Sequence, residues 1–433
     1  MDKQLPVSKF SRGKVLGKAL LKIGAKKSKR FITNGNKEQN HEEIADIIFD
    51  ALGELKGISV KIAQQVALGM PFLPPAYLEK ISKSFNAIPS INRALVRKII
   101  KTELGVYPQD AFDSFDMSAF AAASLGQVHK ASKDNQQLAV KVQYPGIKKS
   151  IESDMSLIHF GLKRFAKGKN VDHIITEIEE RLYEEVDYIL EAQNCDFFKE
   201  NMDNKNIVIP KVYHELSTNK VLTTSLLEGV SFKTYLASNP TQKQKDAYAQ
   251  LIIDSFFYSL YHFKHIHADP NPGNFLFMED GKLGLINFGC VKKVDDEFLK
   301  LYTNLHLAIL ENQEDEAIVK QYQKLKMIPK QMNTKEALAF YCEVIKPLDR
   351  LYIEPMIDNS YDFKENSNFS KRGFEMVFEV QKKQTNSVHM LNETFIFLDR
   401  TLLGYYALFE KMGAKINTQF AVELMNEFKE KRI

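Results

Sequence analysis

Between Tyr258 and Val291 the chain reads YSLYHFKHIHADPNPGNFLFMEDGKLGLINFGCV, which sets His267, Asp269 and Asn274 in the order His-x-Asp-x-x-x-x-Asn. A turn-rich stretch and a short apolar run then lead to Asn287-Phe288-Gly289. A loop of this kind needs one carboxylate near an attacking group and one amide oxygen on a magnesium ion, with a second metal ligand one hairpin later. Any fold that carries it has to converge those three side chains. The stretch points to a nucleotide site, and its last ligand is Asn287, a neutral amide where a carboxylate is usual.

At 433 residues the chain is long enough for two domains, or for one two-lobed domain with a tail. Its 44% hydrophobic and 26% charged residues are those of an ordinary globular protein. Cys195, Cys290 and Cys342 are scattered without metal-ligand spacing, which favours a reducing compartment and idle or packed thiols. There is no run of about 18 apolar residues to span a bilayer. The best candidate, Thr394 to Phe409, is interrupted by Asp399 and Arg400. The start lacks a secretory signal, so cytoplasmic residence is expected.

The formal charge of +4 conceals an asymmetry. Residues 1–30 carry ten Lys/Arg against Asp2, a local +9, and the remainder sums to −5. In that leader Val15, Leu16, Ala19, Leu20 and Ile23 recur at helical spacing, while Lys14, Lys18, Lys22 and Lys26 recur every fourth residue. A helix of this pattern suits an anionic membrane surface, and a solvated leader accounts for it equally well.

Residues 31–40 look like a linker, which makes 1–40 a basic leader. An apolar stripe from Ile44 to Ile58 then predicts a helical extension over 41–90 that carries Lys61 and Gln64. Asn92 stands where it would cap the helix of Leu95, Ile99 and Leu104. Strands are expected at Phe112–Asp116, Gly126–Lys133 and Leu138–Tyr144, then at KVYHEL (211–216) and KVLTTSL (220–226). Between them, helical stretches are expected over 147–166 and 171–200. After Gly229 the pattern is helical to the end, the catalytic hairpin apart. A small mixed lobe (91–230) and a larger helical lobe (231–433) describe an α+β, helix-rich, protein-kinase-like two-lobed fold.

Three further constellations bear on chemistry. Lys141 stands mid-strand between Val140 and Val142, and a buried ammonium needs an anionic partner. In kinases such a lysine holds nucleotide phosphates and pairs with a helical Glu. Glu184 to Glu191 packs four carboxylates into eight helical residues, with Asp187 and Glu191 on one helix face at i,i+4, where like charges repel unless a cation lies opposite. Glu191 is the expected partner of Lys141. One strand before Lys141, at the place of a glycine-rich phosphate loop, stand Ala121, Ala122, Ala123 and Ser124, with Gln127 just beyond. Each alanine Cβ restricts close approach of the backbone to phosphate.

With these residues in view the chain resembles the UbiB (AarF-type) atypical kinases, whose eukaryotic relatives support coenzyme Q biosynthesis. The shared landmarks are Lys61-Ile62-Ala63-Gln64, Ala121-Ala122-Ala123-Ser124, Glu185-Val186-Asp187 and the Asp269/Asn274 loop; the run FLDRTLLGYYALFEKMGA is similar to the family's final helices. The resemblance spans about residues 40–415. It implies an N-terminal helical extension packed over the active site, with Lys61 facing Glu185 and Asp187, and with Lys61, Gln64, Glu185 and Asp187 forming a lid that restricts substrate access. It implies an ATPase or small-molecule kinase using ATP (or ADP) and Mg2+, with Asp269, Lys141 and Glu191 as catalytic residues. By the same resemblance Ala121, Ala122, Ala123, Ser124, Gln127, Lys141 and Asn274 are expected to contact nucleotide, and Asn274 and Asn287 to hold metal. Implied partners are isoprenoid-quinone precursor lipids, quinone-biosynthesis proteins and the inner face of a membrane, with no nucleic acid.

Ala63 replaces the motif's glycine, a change a helix tolerates. Asn287 matters more, because magnesium is usually held by one or two carboxylates plus phosphates. Either Asp269 doubles as a metal ligand, or Asp280 assists, or metal binding is weak. The readings left open are an active atypical kinase, a nucleotide-binding pseudokinase scaffold, and an ordinary protein or antibiotic kinase.

Overall fold

The structure, a computed structural model, describes residues 17–18, 21–22, 91–123, 125–152, 155, 172–373, 375–376 and 393–430. Most of the basic leader, the 41–90 extension with Lys61 and Gln64, Ser124, and most of the expected 147–166 helix lie outside the described residues. The chain divides into two units, residues 1–190 with 213–225, and residues 191–212 with 226–433.

The first unit begins, among its well-described parts, with the helix Arg93–Leu104. Asn92 is its cap, accepting the Leu95 N–H at 2.9 Å, and Gly105 closes it in a left-handed conformation (φ +76°) that a side chain disfavours. Val96 and Ile100 on this helix are fully buried against Ala131, Leu138, Val140, Val142 and Val221. Those residues line one face of an antiparallel sheet of β1 (Ser114–Phe115), β2 (Ala121–Ala123), β3 (Gly126–Lys133), β4 (Gln136–Gln143) and β6 (Val221–Ser225), with β3 central to β1, β2 and β4. The alternation in β4 is the reason Lys141 can exist there. Val140 and Val142 point into the core, so Lys141 and Gln143 share the opposite face.

Two expectations change here. The acidic stretch is not one helix: Asp172–Glu185 ends, and Tyr188–Asn201 begins after a break at Val186 and Asp187. Asp187 stands at the break with its Oδ1 accepting the N–H groups of Ile189 (3.1 Å) and Leu190 (3.0 Å). Its carboxylate is a helix cap, and the expected repulsion between Asp187 and Glu191 along one helix face does not arise. The segment Lys211–Leu216 is also no strand. It forms a single bridge and a 3₁₀ turn at His214–Leu216, because Thr223 and Ser217 hydroxyls take the Leu216 and Tyr213 carbonyls that a ladder would use.

In the second unit the long helix Gln242–Phe263 starts at a capping box formed by Thr241 and Gln244. It runs beside Glu393–Met412 and Gln419–Glu430. Between the first of these helices and the next, β7 (His265–His267) pairs with β10 (Val291–Lys293), and β8 (Phe275–Phe277) pairs with β9 (Leu283–Leu285), which a short parallel β5 (Ile207–Val208) extends. A further pair, β11 (Ser360–Asp362) with β12 (Lys415–Asn417), interrupts the C-terminal helices, which the periodicity alone does not reveal. Among the described residues no helix is long and apolar enough to cross a membrane.

The helical region encloses a polar cluster. Asp349 is 8% exposed and accepts the hydroxyl of Tyr322, while Tyr302 donates to Asp399 at 3.2 Å. Burial pushes the Asp349 carboxyl up to about 7 and the Asp399 carboxyl well above its ordinary range, the nearby Asp349 adding to the latter. A raised folded-state value means that folding holds the proton more tightly. The associated stability is complete below about pH 4 and is lost as pH rises through about 7. The thermal midpoint of the whole chain is therefore expected to fall between pH 5 and 8, and less steeply in Asp349→Asn; equal slopes for the two proteins would disprove it.

Candidate active site

The loop His267–Asn274 leaves the end of β7 and re-enters the fold at β8. Its shape comes from short local bonds. Asn271 N–H approaches Asp269 Oδ1 (3.3 Å), Asn271 Oδ1 accepts the Gly273 N–H (2.9 Å), and Asn274 Nδ2 donates back to the Asp269 carbonyl (2.9 Å). Asp269 is half-buried and Asn274 is buried. The Asp269 side chain is thus presented by a loop whose turn is closed from both ends.

Asn287 joins this loop directly. Its Nδ2 donates to Asn274 Oδ1 at 2.9 Å, and its backbone carbonyl accepts His267 Nε2–H at 2.8 Å. Asn287 adopts φ +68°, a left-handed conformation that Asn tolerates better than most side chains. Burial holds the His267 imidazole below its ordinary value, against the opposing pull of the Asp269 carboxylate. The ring is therefore neutral and its tautomer is set by the bond to Asn287. His267 holds the loop together by hydrogen bonding, as the sequence reading has it. Asn194 on the helix Tyr188–Asn201 donates to the Phe288 carbonyl (3.0 Å), a second clamp on the Asn-Phe-Gly turn.

Two supporting residues have no counterpart in the sequence reading. In the helix Glu393–Met412, Tyr405 donates its hydroxyl to the His267 carbonyl at 2.8 Å. The neighbouring Gly404 lies against Pro270: a Cβ built there would come within 2.8 Å of Pro270 Cβ and still nearer its Cγ. Glycine at 404 is what lets the helix reach the loop. The signal lies in the Gly-Tyr pair of that apolar helix, but the pattern does not say which loop it meets.

Asp280 sits at the exposed turn of the β8–β9 hairpin in an ion pair with Lys282 at 2.5 Å, and this lysine's hydrogen bond holds its carboxyl below the usual range. His262 and His265 bond to the carbonyls of Tyr258 and Phe263. Among the described residues no group of three His, Cys, Asp or Glu side chains has the geometry to hold a metal ion. The donor set is one carboxylate, Asp269, with two amide oxygens. It suits a magnesium ion carried in by phosphates that supply the missing negative charge, and suits a free ion poorly.

The remaining candidates belong to the first unit, except Glu191, which belongs to the second. Ala121–Ala123 form β2, hairpinned onto Gly126–Val128, with Ala121 and Ala122 exposed at the edge. Gln127 is 1% exposed and turned inward: its Oε1 accepts the Ile91 N–H (2.8 Å), and its Nε2 donates to His129 Nε2 (2.8 Å), while His129 Nδ1–H donates to the Asp116 carbonyl. Lys141 is half-buried, with its Nζ 4.8 Å from the centroid of the Tyr188 ring. Glu185 is half-buried at the end of its helix, and Glu191 is 3% exposed.

A family model described as "ABC1 atypical kinase-like domain" matches residues 83–322, more than half of the chain. The chain belongs to this UbiB/AarF-type family. It is similar to the protein "ACTIVITY OF BC1 COMPLEX KINASE 3, chloroplastic" of Arabidopsis thaliana, 32% identical over 72% of this chain and 44% of the plant protein. It is also similar to the "probable serine/threonine-protein kinase abkA" of Dictyostelium discoideum, 27% identical over 98% of this chain and 80% of that one. The chain thus spans less than half of the plant relative's length and most of the amoebal one. Among solved structures, one described as the complex of Rv3197 with erythromycin from Mycobacterium tuberculosis matches with a TM-score of 0.61 and 24% identity, over 90% of this chain and 97% of the other. That likeness shows the shared kinase-like fold.

The Gly404–Pro270 approach generates a prediction. Gly404→Ala is expected to displace the catalytic loop, lowering the thermal midpoint by several degrees, in keeping with the 1–3 kcal/mol typical of overpacking. Unchanged unfolding of this variant, followed by calorimetry, would show that the loop and helix are not tightly apposed.

Proposed function

We propose that this chain is an atypical kinase or ATPase that binds ATP (or ADP) with Mg2+ and transfers the terminal phosphoryl group to a hydroxyl or to water. The observation that supports this reading is the chain of hydrogen bonds from Asn287 Nδ2 to Asn274 Oδ1 and from Asn274 Nδ2 to the Asp269 carbonyl, which sets two amides beside the loop that carries the Asp269 carboxylate. Asp269 accepts the proton of the attacking hydroxyl or water as the oxygen–phosphorus bond forms and the bond to the departing ADP breaks. Lys141 holds phosphates with Glu191 as its orienting partner, and the Ala121–Ser124 hairpin covers the nucleotide. Asn274 and Asn287 are the residues that would hold the magnesium ion, which supplies neutralisation of phosphate charge when bound. Gln127 acts from behind this hairpin, since its side chain is committed to Ile91 and His129.

Lys61, Gln64, Glu185 and Asp187 form the proposed regulatory lid. Of these, Asp187 supports it as the cap of the helix that carries Glu191. The acceptor class proposed is an isoprenoid-quinone precursor lipid, in company with quinone-biosynthesis proteins. Residues 1–30 would hold the chain on the cytoplasmic, inner face of an anionic membrane, and nucleic acid is not a partner.

A second reading is favoured by one specific observation. The Asn287 amide already donates to Asn274 Oδ1, which makes a neutral pair that brings no charge to metal. On that reading the chain is a nucleotide-binding pseudokinase scaffold. Asn287→Asp separates the two, and aspartate also tolerates the left-handed backbone at this position. The natural chain is expected to show a Mg-dependent thermal shift with ATP and slow hydrolysis, both lost in Lys141→Met. Asn287→Asp is expected to raise hydrolysis by at least about tenfold, the equivalent of about 1.4 kcal/mol of barrier. Magnesium-independent binding without hydrolysis in the natural chain would decide for the scaffold. Absence of any shift with adenine nucleotides would remove both readings.

A further inference from the structure

We propose that the second unit holds a single buried water behind the His267–Asn274 loop, bonded to His267 Nδ1 and to a hydroxyl of the surrounding helices. The inference rests on local geometry and stands whether or not the chain transfers phosphate.

The imidazole supplies the first observation. His267 is 6% exposed, and its Nε2–H is committed to the Asn287 carbonyl at 2.8 Å. That leaves Nδ1 as a lone-pair acceptor, and it is buried with no hydrogen-bond partner among the described residues. Buried acceptors in native proteins nearly always find a donor, from the protein or from ordered water.

The second observation is a cavity that His267 itself lines. Its room, about 10 Å³, is that of one water molecule. Ser255, Ser259 and Tyr405 bring the other hydroxyl groups to its wall, and Met202 alone among the lining residues is not buried. The protons of these three hydroxyls are already placed. Ser255 donates to the Ile252 carbonyl (2.8 Å), Ser259 to the Phe256 carbonyl (3.0 Å) and Tyr405 to the His267 carbonyl (2.8 Å). Each oxygen keeps an accepting lone pair. The cavity therefore offers acceptors, and its occupant has to bring hydrogens of its own. Water carries two on one small oxygen, enough for Nδ1 and one hydroxyl. The same lone pairs repel an anion, and a bare cation would exchange its hydration shell for a few neutral atoms.

A bond at Nδ1 completes what the bond at Nε2 begins. Turning the ring over about Cβ–Cγ would then break two hydrogen bonds instead of one. The water thus locks the ring that holds the Asn-Phe-Gly turn, and it ties that ring to the helix Gln242–Phe263 or Glu393–Met412.

The test uses the full chain with ¹⁵N-labelled histidine, the His267 ring signals being assigned by their loss in His267→Gln. The same protein is crystallised at a resolution that shows ordered water. The ring is expected to be neutral with its hydrogen on Nε2, and its Nδ1 signal to lie upfield of an unbonded ring nitrogen. An oxygen is expected within hydrogen-bond reach of Nδ1 and of at least one of Ser255, Ser259 and Tyr405. Ser259→Val, which adds a methyl group at the cavity wall, is expected to expel that oxygen, return the Nδ1 signal downfield and lower the thermal midpoint by a few degrees. A hydrogen on Nδ1, an unbonded Nδ1 signal in the natural chain, or a cavity filled by a neighbouring side chain overturns the inference. If the valine variant does not fold, the signal and the density of the natural chain decide.

Discussion

A buried neutral imidazole at the start of the His267–Asn274 loop is the constraint on which the second unit's candidate site depends. His267 ties its own loop to the Asn-Phe-Gly turn through the Asn287 carbonyl, and it is held in turn by Tyr405 through its backbone oxygen. Charging that ring would require desolvating a cation in an apolar setting of Phe275 and Phe288, so burial keeps the proton off and the donor on Nε2. With the tautomer settled, Asn287 is placed, and Asn287 then places Asn274. The three polar groups form a chain in which each bond orients the next, which is the form in which buried polar networks specify one arrangement.

That order has a chemical consequence. An aspartate at 287 could accept hydrogen bonds or ligate a cation but could not donate to Asn274, so asparagine makes a self-satisfied pair in the absence of ligand. The site is pre-formed at the expense of negative charge. On the proposed reading a triphosphate would bring that charge with its own magnesium, because Asp269 is the one carboxylate in the described loop set of Asp269, Asn274 and Asn287. On the proposed reading, the balance between a slow enzyme and a nucleotide-holding scaffold would turn on this single neutral side chain, set in a kinase-like fold.

In the first unit the same economy appears on the outer face of β4. Val140 and Val142 bury themselves in the core, and the pleat obliges Lys141 and Gln143 to face the other way, onto the Glu185–Tyr188 turn. The acidic stretch, which the spacing presents as one crowded helix, is two helices joined by a capped break. One carboxylate of the apparent cluster is spent on that cap. Gln127 likewise reads as a ligand-facing residue beside the alanine hairpin, while the fold turns it inward to hold Ile91 and to fix the tautomer of His129.

What the sequence determined by itself was everything expressed in short range: the His-x-Asp-x-x-x-x-Asn loop, the lysine strand flanked by valines, the Asn92 cap, and the substitution at 287. These are legible because spacing along a strand, a turn or a cap fixes which atoms meet within a few residues. Only the tertiary structure decided that Gly404 clears space for Pro270, that Tyr405 grips the loop from 138 residues away, and that Tyr188 lies under Lys141. The reason is that such contacts depend on how closely two separate elements approach. Side-chain volume at the crossing sets that distance, and no periodicity in either segment encodes it.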